Sequence, residues 1–159
     1  MTVVLALFIY AAALVLANLS VAHFGPASTP INAFFLIGLD LSLRDWLHER
    51  IRPLEMLGLV VGAGLISYGL DQSTGRIALA SCAAFTLSGL ADWGAFCAIP
   101  GPWIRRSMGS NVVGAGVDSI LFPTIAFGVL MPWVVLAQFV AKVAGGAVWA
   151  SLLNRWRKA

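Results

Sequence analysis

The chain has 159 residues, of which 60% are hydrophobic and 11% charged, with a mean hydropathy of +0.90. Soluble domains carry about 25% charged residues, and a core of this size could not hide so many apolar side chains from water, so they face lipid. The net charge of +3 comes from ten basic residues scattered over segment ends, which makes no nucleic-acid groove. At roughly 20 apolar residues per spanning helix plus short turns, the chain fits about six spans with no remainder for a soluble catalytic domain.

The first apolar run covers residues 3–22 and stops at His23, Gly25, Pro26 and Pro30. It has no basic leader and is long enough to span, which argues against a cleavable signal peptide. The second, 31–47, begins apolar and turns polar, ending in Arg44, Asp45, His48, Glu49, Arg50, Arg52 and Pro53. That terminal cluster reads as a solvated helix end. The third, 54–70, is glycine-rich, and Gly58 and Gly62 form a small-xxx-small face suited to close helix packing or to a homodimer contact. Asp71 to Gly75 make a turn before the fourth span, 76–98, which Pro100, Gly101 and Pro102 stop. Cys82 and Cys97 lie on it fifteen residues apart. That is about 22 Å of helical rise, too far to bond to each other within one chain, and both read as core fillers. The fifth span is 107–130 and the sixth 133–153, with Met131 and Pro132 between them and the packing glycines Gly145 and Gly146 on the last. The expected fold class is an all-α integral membrane protein, with residues 1–159 forming one six-helix domain.

Basic residues set the orientation. In a six-span arrangement Arg44, Arg50, Arg52, Arg105, Arg106, Arg155, Arg157 and Lys158 fall on one side and Arg76 alone on the other. The positive-inside rule then places both termini in the cytoplasm. Trp46, Trp103, Trp133 and Trp156 fall near span ends, where interfacial aromatics belong.

Ionisable groups inside a bilayer are costly, so each suggests a function. Asp40, Asp92, Asp118 and Lys142 lie within spans, and counting 1.5 Å per residue puts Asp118 and Lys142 at the same mid-depth. Opposite charges at one depth on neighbouring antiparallel helices suggest an ion pair. Asn111, Gly114, Asp118 and Phe122 share a helical face. Pro123 lacks an N–H and so frees the Ser119 carbonyl. Together these residues describe a ligand cavity opened in a helix, faced by Gln138, Lys142 and Trp149 from the sixth span. Asp40 precedes Arg44 by one turn, the better order for an i,i+4 pair. His23 and His48 have no partner at metal-ligand spacing, and neither a metal nor a cofactor is expected.

The order of these charges resembles the queuosine precursor transporters, also called the vitamin uptake transporter family. The resemblance covers most of the chain and rests on Asp40-Leu41-Ser42-Leu43-Arg44, Asp92, Asp118-Ser119 with the following stretch to Gly128, and Lys142. After Arg44 the family's aromatic-glycine pair is replaced here by Asp45-Trp46-Leu47. The resemblance implies uptake of 7-deazaguanine bases such as 7-cyano-7-deazaguanine across the cytoplasmic membrane. It also implies a fold similar to the substrate-binding components of energy-coupling-factor transporters, which dock an ATPase module through small residues on their first helix. Ala13 and Ala17 are so spaced. A carboxylate accepts the adjacent N–H and amino groups of a guanine-like edge, and planar bases stack on aromatics. Asp118, Ser119, Asn111, Lys142, Phe34, Phe35, Phe122 and Trp149 are therefore the expected substrate-binding set, with Asp40, Arg44 and Asp92 in coupling or gating. The expected partners are a purine-like solute and membrane lipid. The rival readings are a membrane-embedded enzyme acting on a lipid headgroup, for which only the Asp45–Glu49 cluster offers side chains, and a substrate-binding subunit of an ATP-driven uptake complex.

Overall fold

A computed structural model describes residues 2–158, without the side chains of 157 and 158; the basic residues Arg157 and Lys158 used for orientation fall in that undescribed group. Among the described residues the chain is helical throughout. Helix α1 is Val3–Phe24, and α2 covers residues 29–48 as Thr29–Asn32, a wider π-type turn Ala33–Ile37, and Gly38–His48. The others are α3 (Pro53–Leu70), α4 (Gly75–Ala98), α5 (Trp103–Phe127) and α6 (Pro132–Lys158). Five helical stretches are long and apolar enough to cross a membrane: Val3–His48, Pro53–Leu70, Gln72–Ala98, Trp103–Phe127 and Pro132–Trp156.

The first stretch has 46 residues, more than twice what a hydrocarbon core takes, and it is not straight. At Gly25 the backbone adopts φ +67, a left-handed value suited to glycine, and a short 3-10 turn over Gly25–Ser28 follows. The Ser28 hydroxyl fastens this turn by donating to the Gly25 carbonyl at 2.9 Å. α2 then packs back along α1.

Local chemistry fixes the other ends. The Thr2 hydroxyl accepts from the Leu5 N–H at 3.3 Å to start α1. α3 begins with Pro53 in its first turn and with the Glu55 carboxylate accepting from the Arg52 N–H at 2.8 Å. Gly128 (φ +78) closes α5, and Arg76 reaches over from α4 to donate to the Ile125 carbonyl at 3.1 Å. Arg76 is thus occupied in capping a helix. α5 itself runs unbroken through Pro123.

Polarity is reversed relative to a soluble protein. Val4, Phe8, Leu54 and Trp133 are exposed, whereas Asn18, Asp40, Arg44, Asp45, Asp92, Asp118 and Lys142 are buried, the arrangement lipid demands. α4 and α5 pack most extensively, α6 lies against α5 and α2, and α1 lies against α3 and α2. The tightest crossing joins α2 to α6. A Cβ on Gly38 would stand 2.7 Å from the Gly145 carbonyl carbon, and one on Gly145 would overlap the Phe34 carbonyl. Ser42 spans the same contact by donating to the Gly146 carbonyl at 3.0 Å.

Several expectations change. Gly58 and Gly62 face open space, so they pack no helix within the monomer; Gly64 does, against Cys82. Cys97 is exposed and fills no core. Trp133 and Trp156 are exposed as interfacial anchors should be, but Trp46 and Trp103 are buried. Arg50 lies over Trp46, its guanidinium 3.7 Å from the ring centroid, and covers it. The solvated helix end begins only at Glu49, because Asp45 is fully buried. Ala13 and Ala17 are buried as well, so they offer no docking face.

Candidate functional site

Asp118 on α5 and Lys142 on α6 form a buried ion pair at 2.6 Å. Lys142 also donates to Gln138 Oε1 at 2.7 Å and to Ser119 Oγ at 3.2 Å, so all three ammonium hydrogens are used. Gln138 lies one turn before Lys142 on α6 and shares its face, Ser119 follows Asp118 on α5, and the packing of α6 on α5 brings the four groups together. Because Lys142 can only donate, it fixes the Gln138 amide orientation and turns Nε2 away from itself.

Asp118, Gln138 and Lys142 line a cavity. Asn18 on α1, Asn32 on α2 and Ser81 on α4 line it too, with Phe85 and Phe122 as apolar surfaces. The cavity is narrow, with a volume of only about 20 Å³ open to the centre of a water molecule. That admits a water or two and no larger solute without helix movement. Asn18 is held rigidly, donating to Ser67 at 3.1 Å and accepting from Ser81 at 2.5 Å. Three other lining groups keep a buried polar atom without a hydrogen-bond partner: Asn32 Nδ2, Gln138 Nε2 and Asp118 Oδ1. Buried polar atoms are nearly always paired, so three unmet ones around one cavity point to a ligand that pairs them.

Of the expected substrate set, Asp118, Phe122 and Lys142 line this cavity, and Ser119 supports it by accepting from Lys142; all four are brought together. The other four lie elsewhere. Asn111 sits at the crossing of α2 and α6, its amide 3.4 Å from the Ser42 hydroxyl. Phe34 is half-buried there with its carbonyl against Gly145, Phe35 is 56% exposed, and Trp149 is half-buried outside the cavity wall. Asn18, Asn32 and Ser81 escaped sequence reading, although two asparagines inside strongly apolar spans were a visible signal.

A second polar layer is built around Arg44. Asp40 and Arg44 do not close into an ion pair. The Arg44 guanidinium instead lies 5.2 Å from the Phe85 ring centroid, in space left open by Gly89. It faces the Tyr10 hydroxyl and is near enough to Asp92 and Asp118 for their charges to act on it. Asp45 on α2 receives the Ser110 hydroxyl at 3.4 Å. Asp92 packs on Gly114, where an added Cβ would lie 3.2 Å from Oδ1. One ligand atom each from Asp45, His48 and Asp92 lies within 4.8 Å of the others, a grouping able to hold a metal ion. His48 therefore does have partners at metal-ligand distance; one of them, Asp92, arrives from a helix remote in sequence.

The family model described as "Putative vitamin uptake transporter" matches residues 1–154. No curated protein and no solved structure matches the chain. The match covers nearly the whole length, and it agrees with a bundle of apolar helices enclosing a polar cavity rather than a catalytic constellation. The chain belongs to the vitamin uptake transporter family, a family of membrane transporters.

Proposed function

We propose that this chain carries queuosine precursors, 7-deazaguanine bases such as 7-cyano-7-deazaguanine, inward across the cytoplasmic membrane. The observation that supports this reading best is the trio of unmet atoms around one cavity, a carboxylate acceptor and two amide donors. A guanine-like edge offers the complement: a ring N–H and an amino group for Asp118, and a carbonyl oxygen for an amide of Asn32 or Gln138. Phe85 and Phe122 take the stacking role in place of Phe34, Phe35 and Trp149. Lys142 and Ser119 hold the Asp118 carboxylate in its binding orientation. Asp40, Arg44 and Asp92 act in coupling the cavity to the other end of the bundle. The membrane topology of this reading has six spans, with α1 and α2 as separate crossings joined at Gly25 and both termini in the cytoplasm. Arg76, the one basic residue left outside, is accounted for by its cap on α5.

The test uses cells unable to make deazaguanines and supplied with them at low concentration. They should incorporate the base into RNA only when the protein is intact. Asp118→Ala should abolish incorporation while the protein still reaches the membrane. Normal uptake by that variant would remove Asp118 from the substrate site. Failure of the intact protein to support uptake of any deazaguanine would remove the substrate class.

A further inference from the structure

Charge balance inside the bundle is incomplete. The buried charged side chains among the described residues are Asp40, Arg44, Asp45, Asp92, Asp118 and Lys142. Lys142 answers Asp118 directly, which leaves three carboxylates against the single guanidinium of Arg44. With all three ionised, two negative charges would be left over in a medium that does not solvate them; such charges persist only when paired or bound to a cation, and are otherwise neutralised by protons.

Hydrogen bonds do not absorb the excess. Both Asp92 oxygens are buried without a hydrogen-bond partner, and so is His48 Nδ1. Asp45 receives Ser110 at a long 3.4 Å, with Ser107 and Asp92 close enough to act on it as well. Yet these three residues converge. Asp45 and His48 are three apart on α2 and share a face, and Asp92 projects from α4 over the thin wall at Gly114. Their ligand atoms lie within 4.8 Å of one another. Metal bonds of about 2.0–2.2 Å in tetrahedral geometry place two ligands on one ion about 3.4 Å apart, so side-chain rotations that draw these atoms together by about 1 Å close the site. His48 also lines a groove between α2, α3 and α4 with Arg44, Leu57, Leu90 and Trp93.

We propose that Asp45, His48 and Asp92 bind one divalent transition-metal ion of the zinc or manganese class, tying α2 to α4 beneath the cavity. The ligand set selects the class: imidazole with two carboxylates suits zinc, iron(II) or manganese, whereas calcium and magnesium prefer oxygen alone and copper(I) prefers sulfur. The ion's two positive charges cancel the two in excess. An anion is disfavoured by the same count, in spite of Arg44.

The test strips the full-length protein of metal in detergent, then adds zinc chloride under calorimetry and, separately, cobalt(II) chloride while recording visible absorption. One ion per chain is expected, with cobalt d–d bands and a higher melting temperature in saturating zinc. His48→Gln and Asp92→Asn should each weaken binding at least tenfold, while Glu49→Gln on the exposed end of α2 should bind as the wild type does. Asp92→Asn also removes one surplus charge, so without metal it should melt no lower than the stripped wild type, which keeps it informative should His48→Gln fail to fold. A folded wild-type protein that takes up neither ion overturns the proposal and leaves protons to neutralise the cluster. Cobalt spectra unchanged by both substitutions would overturn it equally.

Discussion

Replacing Lys142 with Met removes the cation paired with Asp118 and leaves three acceptors, Asp118 Oδ2, Gln138 Oε1 and Ser119 Oγ, without their shared donor. The pair is buried, with side chains only 1% and 4% exposed, so little water can take the ammonium's place. Breaking such a pair from one side costs about 3–5 kcal/mol. For a protein of about 150–250 residues each kcal/mol moves the melting temperature by about 2–4 °C, which gives a drop of about 6–20 °C. Asp118→Asn keeps the shape and leaves Lys142 two neutral partners, so its loss should fall at the lower end. With both replaced, neither orphan charge remains, and the double variant should be more stable than Lys142→Met alone. The measurement is a four-member thermal unfolding cycle in one detergent, followed by a thiol-reactive or intrinsic fluorescence probe. If the double variant loses the sum of the two single losses, the groups are not energetically coupled and the buried-pair argument fails.

Gly145→Ala places a methyl group on the Phe34 carbonyl and should destabilise the bundle by at least the ~1–3 kcal/mol of ordinary overpacking, whereas Gly58→Ala, which meets nothing, should be neutral or slightly stabilising in the same melts. Asn32→Leu removes an unmet buried amide, so it should leave stability unchanged or raised while reducing uptake of base; a large stability loss would show that Asn32 has a structural partner. Asp71, in the turn after α3, is held below the usual carboxylate value by hydrogen bonds from Ser73. Its folded pKa is depressed, so its contribution is present above the unfolded value of 3.8 and fades as pH falls through the folded one. An NMR titration placing Asp71 above 3.8 would reverse that sign. Cysteines introduced at Arg76 and at Arg105 should be labelled by an impermeant reagent from opposite sides of the membrane; labelling from one side only would break the six-span topology.

Apolar run lengths and their Pro/Gly punctuation made the helices legible, since lipid leaves a chain few other choices. The Gly25 turn was marked by its own residues. The Asp118–Lys142 pair was legible because depth follows directly from counting 1.5 Å per residue along two neighbouring helices. Asn111 shows where that reasoning stops. It shares a face with Asp118, but seven residues separate them, about 10 Å along the axis, so it points the same way at a different level. The π-type turn at Ala33–Ile37 rotates the rest of α2 and has no residue signature, so the outward placing of Phe35 could not be read from the pattern. Asp40 and Arg44 were at ideal spacing, yet the arginine turned to Phe85 and Gly89 on another helix. The grouping of His48 with Asp92 likewise depends on how α2 and α4 pack, which no periodicity encodes.

The narrowness of the cavity bears on how tightly the protein can hold anything placed there. A base enters only molecules whose helices have moved apart, so the measured dissociation constant equals the intrinsic one divided by the fraction of molecules that are open. If one molecule in a hundred is open, a nanomolar site reads as about a tenth of a micromolar. Changes at the α2–α6 glycine crossing that favour opening would then strengthen apparent affinity while lowering the melting temperature, and a change that locks the crossing would do the reverse. Affinity and stability would trade against each other along one coordinate, set by residues that never touch the solute.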